Sequence, residues 1–207
     1  MIKKFNGYED AKKAAHFLPN ERLPIGAYVC KILGAKAEEG KTAADGKKLS
    51  DRLIIQFDIA EGEYQDFFRN QYEHMTSENK KFKGRTTIYI PRDDGSKEDN
   101  WTKNDFARWT YSLEESNSGY VWDWDESKWK NKLIGIVFGE TGTIIDRKEV
   151  VFTEARFPVS VETVRSGKAP EAKFKAKNGY GNQAKDSGTS DFMNIPEDTE
   201  EELPFLT

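Results

Sequence analysis

One cysteine and two histidines are all that the 207-residue chain offers for thiol chemistry or imidazole ligation of a metal. Cys30 alone excludes an internal disulfide framework and a thiol-rich zinc site. Its neighbours Tyr28, Val29, Ile32 and Leu33 mark it as a buried strand thiol. His16 falls in a predicted helix and His74 in a loop, with no metal-ligand spacing and no nucleophile partner. No stretch approaches the roughly 18–20 consecutive apolar residues that cross a bilayer. The N-terminus, Met1-Ile2-Lys3-Lys4-Phe5, lacks the apolar run of a signal peptide, so the expected location is the cytoplasm. Positive charge is not in excess either. With 36 acids against 32 bases the net charge is −4, so any polyanion site is a local groove and not a basic globule.

Apolar material is limited as well: 36% of residues are hydrophobic and 33% charged, so the 13% that are aromatic must supply much of the core. The length suffices for one domain with extensions. Tyr8 to Leu18 reads as a short helix, with Ala11, Ala14, Ala15 and Leu18 at helical spacing and Pro19 stopping it. Strands are predicted over Ala27–Leu33 and over Arg52–Ala60, where Leu53, Ile55, Phe57 and Ile59 alternate against Arg52, Gln56 and Asp58. A third strand, Tyr64–Tyr72, follows the turn Glu61-Gly62-Glu63. Thr86–Ile90 is strand or short ordered loop. Thr102 and Asp105 form a weak capping box for a helix whose face carries Phe106, Trp109 and Leu113. Strands Lys132–Phe138 and Glu149–Val164 close the body around a Gly139–Asp146 turn.

Beyond Val164 the periodicity stops. Arg165 to Lys185 holds six bases and one acid, whereas Asp186 to Thr207 holds seven acids and no base. A near-neutral body, residues 1–164, thus carries a basic linker and an acidic tail, residues 165–207, whose composition buries too little apolar surface to offset ordering entropy. Three strands, a helix and two more strands is the order of an OB-fold. The expected fold is therefore mainly β, a five-stranded Greek-key barrel with one helix before strand four, a short N-terminal helix and a disordered C-terminal tail. An unrelated α+β sandwich has the same element count.

The tail ends Glu200-Glu201-Glu202-Leu203-Pro204-Phe205, which resembles the tails of bacterial single-stranded DNA-binding proteins. There a few acids precede a hydrophobic residue, proline and phenylalanine. This chain continues through Leu206 and Thr207. A wider resemblance runs from Tyr8 to Gly167, through Tyr8-Glu9-Asp10-Ala11-Lys12, Leu23–Ile32, Phe57–Tyr64, Glu114–Tyr120 and Lys132–Glu140. Those blocks are similar to a protein family encoded by phages and prophages of Gram-positive gut bacteria, whose members are taken to act in replication or recombination. The resemblance implies single-stranded DNA as ligand, replication or recombination proteins as partners of the tail, and a bacterial host cytoplasm as setting.

A single-stranded DNA groove needs cations for phosphates and flat side chains for bases. Lys47, Lys48, Arg52, Arg69, Lys80, Lys81, Lys83 and Arg85 are the candidate cations, and Tyr72, Phe82, Tyr89 and Trp101 the candidate platforms. Each has a plainer reading as solvated surface or core. Gly34-Ala35-Lys36-Ala37-Glu38-Glu39-Gly40-Lys41-Thr42 resembles a phosphate loop, but five residues separate its glycines where four are required. Asp123-Trp124-Asp125-Glu126 could hold a hard divalent cation, or be an acidic turn between packed tryptophans. No catalytic constellation and no cofactor motif is present, so the expectation is a binding protein and not an enzyme. A protein–protein adaptor without nucleic-acid binding is the leading rival, and a divalent-metal DNA-processing enzyme the lesser one. No heptad or isolated apolar strip decides between monomer and homodimer.

Overall fold

The computed structural model describes residues 6–8, 22–42, 46, 48–76, 79–145, 147–177 and 180. The chain is mainly β. Strands β1 (Gly26–Glu38), β2 (Arg52–Ile59), β3 (Arg85–Tyr89), β4 (Leu133–Ile145), β5 (Lys148–Val159) and β6 (Lys175–Ala176) build one sheet. Three helices lie wholly within the described residues, α1 (Phe67–His74), α2 (Lys97–Ser116) and α3 (Val161–Arg165), with a 3₁₀ turn at Glu126–Trp129. The strand order is β3-β2-β1-β4-β5, all antiparallel, and β6 adds in parallel to β4. Among the described residues β3 and β5 share no ladder, so the sheet is open and mixed, not a closed barrel. Helix α2 lies against β3, β4 and β5. No described helix is long and apolar enough to cross a membrane. Of the expected N-terminal helix Tyr8–Leu18, residues 9–18 lie outside the described residues, as does the acidic tail from residue 181.

The core follows from alternation. Leu53, Ile55, Phe57 and Ile59 of β2 meet Cys30, Ile32 and Ala35 of β1 and Ile134, Ile136 and Phe138 of β4 on one face. Helix α2 covers that face with Phe106, Trp109 and Leu113, the stripe read from the sequence. It starts earlier than the weak capping box suggested. The Ser96 hydroxyl accepts a hydrogen bond from Asp99 N at 3.1 Å, and Glu98 and Asp99 place negative charge in the first turn. At the other end the Asn117 side chain donates to Leu113 O (2.8 Å) and Leu133 O (2.7 Å) and accepts from Leu133 N (3.0 Å). One amide thereby ties the helix C-terminus to the first residue of β4.

Three expectations are corrected. Tyr64–Tyr72 is not a strand: a turn leads into α1, which buries Phe67, Phe68 and Gln71 at helical spacing. The cause is remote. Helix α1 has no cap of its own, its N-cap Asp66 being left-handed (φ 58°) and making no side-chain cap bond. The carboxylate of Asp58 on β2 does the capping instead, accepting from Phe68 N (3.0 Å), Arg69 N (2.9 Å) and Ile59 N (2.9 Å). Burial pushes the Asp58 carboxyl above the usual range, against the pull of these donors. Second, the third strand is Arg85–Tyr89, paired to β2 from Arg52↔Tyr89 to Gln56↔Arg85. Third, β4 does not stop at Phe138; it runs on with β5 as a long arm that turns only between Ile145 and Lys148. β5 in turn ends at Val159, where the Ser160 hydroxyl caps α3.

Candidate nucleic-acid interface

The face of the sheet opposite the core is set by register. In a regular strand Lys31 and Lys36, an odd number apart, would project to opposite sides. A β-bulge between Ile32 and Gly34 corrects this. Lys31 pairs with Asp58, Gly34 with Gln56, Lys36 with Ile54 and Glu38 with Arg52. Across β2 the same rows continue to Arg85, Thr87 and Tyr89. One face thus carries Lys31, Lys36, Arg52 and Arg85, with Tyr89 half-buried at one end. Its centre is covered, Ile54 being 8% and Gln56 7% exposed, so the exposed cations Lys31, Lys36 and Arg85 stand around the margin.

Two acids of this face, Glu38 and Asp58, are already engaged. Arg52 donates from Nε (3.1 Å) and Nη2 (2.8 Å) to one oxygen of Glu38. Asp58 is consumed as the cap of α1. Burial raises the Tyr89 phenol, which the nearby Arg52 only partly offsets, so Tyr89 stays neutral. Lys31 and Arg69 share a cleft of about 270 Å³ with Asp58, Glu61 and Asp66 at the α1 end of the face.

The other expected residues have mixed fates. Lys47 lies outside the described residues. Lys48 is exposed, 3.7 Å from Asp51, at the neck of the loop joining β1 and β2. The neck is clamped by Leu49 N to Lys41 O (2.9 Å) and Gly40 N to the Asp51 carboxylate (2.8 Å). A Cβ on Gly40 would come within 1.9 Å of Leu49 O, so this glycine serves close packing and not a phosphate cradle. Phe82 is not a platform: it is 8% exposed and packs on Phe68 and Tyr72 in the core, while Lys81 and Lys83 point to solvent. Tyr72 is half-buried between Phe82 and the Lys80 ammonium, 5.9 Å from its ring centre. Trp101 is 70% exposed, but on α2 and off the three-strand face. The acidic run Asp123–Glu126 is tied internally, Lys128 bonding Asp123 and Asp125 accepting from Ser127.

A second cationic sector escaped the sequence reading. The alternation of β4 puts Gly135 and Val137 on the face shared with Lys31 and carries Gly139, Thr141 and Thr143 of the arm to the same side. Helix α3 separates the two sectors, Val164 packing on Gly135. The first part of the basic linker does not leave the body: it crosses the sheet as a strap and pairs Lys175 and Ala176 with Thr141 and Gly142. Phe174 and Tyr180 close over Gly142, where a Cβ would meet both rings at 2.7 Å. Glu154 anchors the strap, accepting from Thr141 Oγ1 (2.7 Å), Arg156 Nη1 (3.1 Å) and Lys177 Nζ (3.0 Å). Arg156 also donates to Lys173 O at 2.8 Å. Two cations, Arg156 and Lys177, therefore share one carboxylate, and Lys175 adds its charge nearby. Burial, then the charge of Lys177, hold the Lys175 ammonium below its usual range. The only signal in the sequence was the run of alternate lysines at 173, 175 and 177.

Burial alone would raise the Glu154 carboxyl, but the Thr141 hydroxyl and Lys177 outweigh it and hold it below the ordinary value of 4.5. A carboxyl lowered by folding stabilises the native state above its unfolded pKa, and that contribution is lost as pH falls through the folded value. The amides of the strap should therefore lose hydrogen-exchange protection when the pH drops from about 7 to about 3. In Glu154→Gln they should be weakly protected at both.

No family model matches the chain, and neither does any curated protein.

Proposed function

We propose that this chain is a sequence-independent single-stranded DNA-binding protein built on an OB-type sheet. The observation that carries the reading is the gathering of Lys31, Lys36, Arg85 and, across α3, Arg156, Lys175 and Lys177 on one face, where Glu38, Asp58 and Glu154 are engaged internally. The strand order β3-β2-β1-β4-β5, with a helix between β3 and β4, supports the fold assignment: it is the order of an OB barrel opened at the β3–β5 seam, with α2 filling the gap. Phosphates meet the marginal cations, bases stack on Tyr89 at the rim, and the contacts are to backbone and ring faces, which carry no sequence code. The acidic segment Asp186–Thr207 competes weakly for the same cations. DNA displaces it, and Leu203, Pro204 and Phe205 then recruit replication or recombination proteins of the bacterial host or its phage.

The test is the fluorescence anisotropy of a labelled thymidine oligonucleotide titrated with the protein at two salt concentrations, for the whole chain and for one ending at Lys185. Salt-sensitive binding that tightens without the tail is the expected result. No binding at either salt concentration rejects the reading. An adaptor is the second reading, favoured by the exposed Val121 and Trp124, which sit among Asp123, Asp125 and Glu126 where a nucleic acid is repelled and a protein is not. It predicts no salt-dependent oligonucleotide binding at all.

A further inference from the structure

Strand β5 ends the sheet, and among the described residues its only ladder partner is β4. Near its C-terminal end α2 covers it, Arg108 lying 5.8 Å over the Phe157 ring. Along the arm, from Lys148 to Glu154, nothing described pairs with its outer edge. This edge reads Lys-Glu-Val-Val-Phe-Thr-Glu, with no proline anywhere in it and no charge from Val150 to Thr153. Proteins normally blunt such edges with one or the other, because a row of unpaired N–H and C=O groups on an apolar strand recruits another strand.

We propose that the β5 edges of two copies of this chain pair antiparallel about Val151, joining two sheets into one. The sequence selects both the occupant and the register. In an antiparallel self-pair only same-parity residues can face each other, because alternate residues turn their backbone polar groups outward. Centring on Val151 sets Val150 opposite Phe152, Glu149 opposite Thr153 and Lys148 opposite Glu154, so apolar meets apolar and each lysine meets a carboxylate, twice by symmetry. Centring on Phe152 would set Lys148 against Arg156 and Val150 against Glu154. Centring on Val150 would set Lys148 against Phe152. Only the Val151 register is self-complementary, as a two-fold isologous contact must be. The two-fold axis runs perpendicular to the joined sheet, so the Arg156–Lys175–Lys177 faces of both copies lie on the same side. This inference stands apart from any DNA binding.

Sedimentation equilibrium of the full chain is the first measurement, and the expected result is a reversible dimer in the micromolar range. A monomer up to millimolar concentration overturns the proposal without recourse to any variant. Register is read by Val151→Cys under mild oxidation. Facing Cα atoms in an antiparallel pair lie about 4.5–5.5 Å apart, within the roughly 4.4–6.8 Å that a disulfide spans. Val151→Cys should therefore give a covalent dimer and Phe152→Cys should not, the native Cys30 being buried. Thr153→Glu, facing Glu149, should weaken the dimer roughly tenfold, and adding Glu149→Lys should restore it. A wild-type dimer that neither cross-links through position 151 nor responds to Thr153→Glu uses another surface, and that outcome also overturns the proposal.

Discussion

Replacing Asp58 by alanine should lower the unfolding free energy by about 3 kcal/mol, a large share of the roughly 5–15 kcal/mol that holds a domain together. The side chain is buried and accepts three backbone N–H groups, two of them in the first turn of α1. Alanine leaves those donors without a partner where water does not reach, which is the costly case for a hydrogen bond. The effect should spread beyond the cap, since α1 buries Phe67 and Phe68, and Phe68 packs on Phe57, Phe82 and Phe138. Asp58→Asn keeps the oxygen that serves Ile59 and Phe68 but turns an amide donor toward Arg69 N, so its cost should be intermediate. Denaturant melts followed by circular dichroism measure both. A loss below about 1 kcal/mol for alanine would mean that α1 is capped by other means.

The largest functional effect should come from removing the three exposed cations of the β1–β2–β3 face together, Lys31→Ala, Lys36→Ala and Arg85→Ala. If each neutralises one phosphate of a single strand, the slope of log affinity against log salt should shrink by about 2 and the affinity at tenth-molar salt should fall about a hundredfold. Among the described residues none of the three lies within ion-pair distance of a carboxylate, so little stability should be lost with them. Lys97 and Lys130, exposed on α2 and after the 3₁₀ turn, provide the control: their removal should leave the slope unchanged. An unchanged slope in the triple variant would take the face out of the binding mechanism.

Residues that obey one local rule were legible from the sequence. The alternation of β2 and the 106–109–113 stripe of α2 read correctly because burial on one face is written into the period itself. Phe82 misled because flanking lysines suggest a platform, although lysine–phenylalanine–lysine is also plain alternation that turns the ring inward. The segment 64–72 misled for a different reason: Phe67 and Phe68 fit either period, and the choice of helix is made by the Asp58 carboxylate, ten residues before the segment's middle. The strap was invisible because backbone pairing and a shared carboxylate hold it more than apolar burial does. Lys31 and Lys36 share a face only through a bulge, and no composition or periodicity announces a bulge.

Strand β1 sits in the middle of the sheet, yet its two neighbours come from distant parts of the chain. β2 follows it closely, whereas β4 begins about a hundred residues after Lys31, a separation that makes loop closure the slow step. At about 5–20 residues per second, a ribosome completes β1 some 5–20 seconds before its second partner exists. Through that interval the Gly26–Lys31 edge is bare, and Ile32, Ile55 and Phe57 lack the apolar neighbours that Ile134, Ile136 and Phe138 will provide. The half-made protein, rather than the finished one, is therefore the form most in need of a chaperone.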